Sequence, residues 1–81
     1  MRVNVRAFAR VREIIGASET PLDAHDDASV RDVWQMLVRR YAELELFASS
    51  IRFARNGSVV SAQTPLRDGD ELALLPPVSG G

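Results

Sequence analysis

Eighty-one residues, 46% hydrophobic and 26% charged with a net charge of −1, predict one small globular domain. A chain this short buries only about 60% of the surface its unfolded form exposes, which excludes a second domain or a deep two-lobed cleft. Ten basic against eleven acidic residues give no field favouring nucleic acid or an anionic membrane, and neither a membrane span nor a signal-peptide core stands in the sequence.

Residues 2–8 alternate, with Val3, Val5 and Ala7 on one face and Arg2, Asn4 and Arg6 on the other, which predicts a half-buried strand. Residues 9–15 suit a short helical turn, and Gly16 suits a left-handed stop after it. A second strand follows over residues 19–24, with Leu22 and Ala24 facing the same way. Pro21 assigns it to a sheet edge, because proline cannot donate to a ladder.

The most distinct element is a helix. Ser29 is its N-cap and Asp32 stands three residues on, as in a capping box. Val30, Val33, Trp34, Leu37, Val38 and Tyr41 then form one apolar stripe, while Arg31, Gln35, Arg39 and Arg40 take the other side. Strands at 51–55 and 58–62 flank Asn56-Gly57, a strong hairpin signal because both residues tolerate positive φ. Asp68-Gly69-Asp70 turns the chain into a last strand at 71–75, and Pro76-Pro77 ends pairing. Strands around one amphipathic helix predict a two-layer α+β domain with a mixed sheet.

Side-chain chemistry is sparse. Cysteine is absent, which removes disulfides, thiolate zinc sites and any side-chain thiol to carry sulfur or acyl groups; the composition fits a cytoplasmic protein. All ten basic residues are Arg, so no side chain offers a primary amine. His25 lies among Asp23, Asp26 and Asp27 in what reads as a solvated turn rather than a metal site, so no metal is expected. The serines lack a base with an orienting acid, and the glycines form no phosphate loop. Arg10, Arg12 and Glu13 read as a solvated face beside the first strand. Trp34 and Tyr41 belong to the core stripe.

What remains is the end of the chain. A firm strand leads through the stiff Pro76-Pro77 into Val78-Ser79-Gly80-Gly81, an extended segment that reaches on the order of 20 Å. Gly80 and Gly81 lack Cβ atoms, so this tail is thin enough to thread a narrow channel. Its tip delivers an α-carboxylate, which becomes an acyl donor once activated, for instance as an acyl-adenylate.

Three segments carry a family resemblance. Phe8-Ala9-Arg10-Val11-Arg12-Glu13-Ile14-Ile15-Gly16, Thr64-Pro65-Leu66-Arg67-Asp68-Gly69-Asp70-Glu71-Leu72-Ala73 and Leu75-Pro76-Pro77-Val78-Ser79-Gly80-Gly81 resemble the MoaD family, the small sulfur-carrier subunits of molybdopterin synthase. The resemblance spans nearly the whole chain. It implies a ubiquitin-like β-grasp fold: four to five strands on one main helix, as a domain over residues 1–75 with a flexible tail over 76–81.

It also implies a mechanism centred on Gly81, with Gly80 serving tail threading. A ubiquitin-E1-like enzyme adenylates the Gly81 carboxylate with ATP, a sulfurtransferase system converts it to a thiocarboxylate, and the large synthase subunit passes the sulfur to a pterin precursor. No cofactor stays bound, the large subunit supplies the catalytic side chains, and the family's synthase is a heterotetramer. Leu75, Pro76, Pro77, Val78 and Ser79 are the expected partner contacts; Phe53 is divided between that role and the core. Two other readings stay open: a related carrier for thiamine or cysteine synthesis, and a ubiquitin-like protein modifier. The terminal Gly-Gly fits all three, while the Pro-Pro-Val-Ser context favours the first.

Overall fold

The structure is a computed structural model that describes residues 1–77. In chain order it contains β1 (Arg2–Ala7), α1 (Ala9–Ile15), β2 (Glu19–Asp23), α2 (Val30–Arg40), a 3₁₀ segment (Ala42–Phe47), β3 (Arg52–Arg55), β4 (Ser58–Val60) and β5 (Glu71–Leu75). The five strands form one sheet in the order β2-β1-β5-β3-β4. β1 and β5 run parallel at its centre, with Val5 opposite Leu72 and Ala7 opposite Leu74. The other pairs are antiparallel, placing Leu22 beside Val3 and Phe53 between Leu74 and Val60. β2 lies at an edge, where the missing N–H of Pro21 breaks no inner ladder.

The strand alternation sets the core. Val3, Val5, Ala7, Leu22, Leu72, Leu74 and Phe53 are buried with Val33, Trp34 and Leu37 of α2, and no polar or charged residue is buried among those described. Trp34 meets the Phe53 ring edge to face, with centroids 5.8 Å apart. That geometry suits aromatic quadrupoles and locks the helix against β3.

α2 starts as its sequence predicts. Asp32 N–H donates to Ser29 Oγ at 3.2 Å, and Ser29 N–H donates to Asp32 Oδ2 at 2.9 Å. The Ser29 backbone donor holds the Asp32 carboxyl below its ordinary pKa, with help from the Ser29 hydroxyl, His25 and Arg31. The next two N–H groups, of Val30 and Arg31, donate to the carbonyls of Thr64 and Ala62 at 2.9 and 2.8 Å. That capping explains one departure: β4 stops at Val60 instead of reaching Ala62, because the chain turns there to serve the helix end.

A second departure is the 3₁₀ segment, which the helical pattern does not announce. Its Leu44 is fully buried and its Phe47 half-buried, a spacing of three that matches 3₁₀ periodicity. The first and last strands lie side by side in the middle of a mixed sheet that curls over one main helix. This is the ubiquitin-like β-grasp arrangement.

Candidate functional site

β5 occupies the centre of the sheet, so Pro76 and Pro77 leave from the middle of one sheet end rather than from its margin. Leu75 and Pro76 are half-buried and Pro77 is exposed. They line a groove of about 580 Å³ with Ser49, Ser50, Ile51 and Arg52. Val78, Ser79, Gly80 and Gly81 lie outside the described residues.

Pairing register fixes what surrounds that exit. On the sheet face turned away from α2, Arg6, Ala73, Ala54 and Val59 follow one another across the strands, and Leu75 and Arg52 form the next row. Polar pairs line the β1 side of this face: Arg2 to Asp23 at 3.3 Å and Asn4 to Glu19 at 3.1 Å across β1–β2, and Arg6 to Glu71 at 3.2 Å across β1–β5. Towards β4 the face is largely apolar, through Ala73, Leu75, Ala54 and Val59, with Arg52 as its charged exception. Val59 is 68% exposed, and Phe8, one step beyond the Ala7–Leu74 pair, is 38% exposed. The α1 pair Arg10–Glu13 at 3.1 Å is exposed on both sides, and Arg10 also approaches Glu43 at 3.8 Å, a solvated face as its sequence suggests.

Of the two places open to Phe53, partner face and core, the structure gives the core, which removes it from the expected partner contacts. Phe53 is 7% exposed and turned towards Trp34, because its register opposite Leu74 puts it on the helix side of the sheet. Its neighbours Arg52 and Ala54 take the open face instead. Two residues of that face were missed in the sequence, Phe8 and Val59. Their signal was parity: Phe8 continues the polar series Arg2, Asn4, Arg6, and Val59 alternates with the half-buried Val60. Contiguous apolar side chains in solvent-facing registers are candidates for contact with a partner.

The comparisons with known proteins bear on this arrangement. The model described as the ThiS family matches residues 5–81, which includes the terminal Gly80-Gly81. The chain belongs to the ThiS family. The "Molybdopterin synthase sulfur carrier subunit" of Escherichia coli (strain K12) is 39% identical over 82 residues, covering 98% of this chain and 99% of that protein. Among solved structures, SAMP1 from Haloferax volcanii superposes with a TM-score of 0.86 at 32% identity over 100% of both chains. A chain in the complex of subunits 1 and 2 of molybdopterin-converting factor from Helicobacter pylori 26695 gives 0.70 at 28% identity, again over 100% of both. The MoaD-like resemblance of the sequence stands, and so does the β-grasp fold expected from it.

For this ThiS-family chain the described residues hold no group of three or more His, Cys, Asp or Glu arranged to bind a metal, and no helix long and apolar enough to cross a membrane. His25 approaches Asp32 at 3.7 Å, beside the helix cap and exposed. The described side chains thus present a partly apolar open sheet face and a strand exit beside it.

Proposed function

We propose that this chain is the sulfur-carrier subunit of a molybdopterin synthase, with its chemistry on Gly81 and its docking on the open sheet face. Residues 1–75 form the folded part and residues 76–81 the reacting arm. The Gly81 carboxylate attacks ATP on an E1-like enzyme, giving the acyl-adenylate and pyrophosphate. A hydrosulfide equivalent, supplied by a sulfurtransferase at the sulfide oxidation level, attacks the acyl carbon, expels AMP and leaves a thiocarboxylate. The large synthase subunit, in the expected heterotetramer, then transfers that sulfur to a pterin precursor.

The observation that carries this reading is the junction itself. The central strand β5 feeds Pro76-Pro77 directly towards the terminal Gly-Gly, beside an apolar face of Phe8, Leu75, Ala73 and Val59. Membership of the ThiS family and the likeness to named sulfur-carrier subunits support it. The absence of Cys is no obstacle, since sulfur rides on the terminus.

Extending the chain by one residue past Gly81 tests the mechanism, because it moves the carboxylate off the atom the activating enzyme presents to ATP. In host extract the extended chain is expected to support no molybdopterin formation while folding normally. Full support by the extended chain would refute a terminal mechanism.

A second reading rests on a specific likeness. "Small archaeal modifier protein 1" of Haloferax volcanii is 36% identical over 84 residues. The same adenylated Gly81 would then be joined to a target amine, and covalent conjugates in place of thiocarboxylate would identify that role.

A further inference from the structure

Phe8 is a large aromatic ring that the fold leaves beside the strand exit instead of in the core, and two features hold it there. The chain reverses immediately after it, at Ala9, whose φ of 50 is the one positive value among the described residues held by neither Gly nor Asn. The Arg6 guanidinium lies over the Phe8 ring, 5.4 Å from its centroid. Arg6 is itself fixed on its other side, with Nη1 3.2 Å from Glu71 Oε1 across the β1–β5 pair. Glu71, Arg6 and Phe8 thus form a chain of contacts running from the start of β5 to the level of Leu75, where β5 ends.

The stability value of such contacts is small. Arg6 is 44% and Glu71 38% exposed, and an ion pair in that setting contributes little to folding. A guanidinium on an exposed ring does more for where the ring stands than for the fold. A partially exposed aromatic that must enter a partner's pocket loses affinity in proportion to the time it spends elsewhere.

We propose that Arg6 is a positioning residue for docking: stacked on Phe8 and anchored by Glu71, it holds the ring ready beside the strand exit for an apolar pocket on the large synthase subunit. This rests on the docking-face reading above. Arg6 acts through Phe8 and makes no essential contact of its own with the partner.

The test is a double-mutant cycle on affinity for the large subunit, measured by calorimetry with the full chain. Phe8→Ala is expected to weaken binding at least about fivefold. Arg6→Gln is expected to weaken it roughly 2- to 5-fold, with a melting temperature close to that of the unmodified chain. Combined with Phe8→Ala, Arg6→Gln is expected to add nothing. Arg6→Lys keeps the charge for Glu71 but loses the planar stack, so it is expected to follow Arg6→Gln, and it serves for the cycle if Arg6→Gln folds poorly. Unchanged binding by Phe8→Ala would overturn the docking-face reading itself. Weakened binding by Phe8→Ala with a neutral or additive Arg6→Gln would overturn only the positioning role.

Discussion

Three residues show how local backbone chemistry writes this fold. Ser29 caps α2 through a reciprocal pair with Asp32, so Ser29→Ala is expected to lower stability by about 1 kcal/mol in urea unfolding. The partner carboxyl gives that cap a pH dependence. Asp32 is held below its ordinary pKa by the Ser29 N–H, so its contribution is complete above the unfolded-state value and is lost as pH falls through the folded one. The urea midpoint is therefore expected to fall on acidification, and Asp32→Asn to flatten that part of the profile. A midpoint that declines equally in Asp32→Asn would assign the acid sensitivity elsewhere. Ala9 is the converse case, a residue in a conformation that costs an L side chain energy. Ala9→Gly is expected to raise stability by about 0.5–1 kcal/mol, relief at φ of 50 outweighing glycine's added chain entropy.

At the scale of elements, the strands sort their side chains by parity, and the two faces answer to different demands. Leu74 points into the core and is fully buried, whereas Leu75, its neighbour, is half-buried on the open face. Leu74→Ala is expected to cost about 2–5 kcal/mol, a large part of what an 81-residue domain has. Leu75→Asp is expected to leave the melting temperature nearly unchanged and to weaken docking on the large subunit. Unfolding by Leu75→Asp would remove it from the docking face and return it to the core.

The same parity explains what was legible in the sequence. Strong periodicity and turn chemistry mark β1, α2, the Asn56-Gly57 hairpin and β5, because each satisfies its own rule locally. The end of β4 is invisible there, since it depends on carbonyls of Ala62 and Thr64 meeting helix N–H groups some 30 residues away in sequence. The 3₁₀ segment is too short and too interrupted by Glu43 and Glu45 to show a period. Phe53 was undecided for the same kind of reason: register with Leu74, not composition, turns it inward. The terminal motif was readable at once. The apolar patch of the open face required the strand order β1-β5-β3-β4, which brings Phe8, Ala73 and Val59 to one face from distant parts of the chain.

For the molecule as a whole, the division of labour follows from size. A domain with one modest core has little room for an enclosed cleft, which accords with the proposed placing of the chemistry on the terminus and of recognition on the open sheet face. In that proposal the central strand, which leaves the sheet beside an apolar surface, joins the two. The lack of Lys adds that no side-chain amine of a second copy is available to form an isopeptide bond. The measurement that tests this account most directly is intact mass spectrometry of the chain after incubation with host extract, ATP and a sulfide source. Replacement of one oxygen by sulfur, mapped to Gly81, is the expected result. An unchanged mass in an extract shown to activate a known sulfur carrier would contradict it.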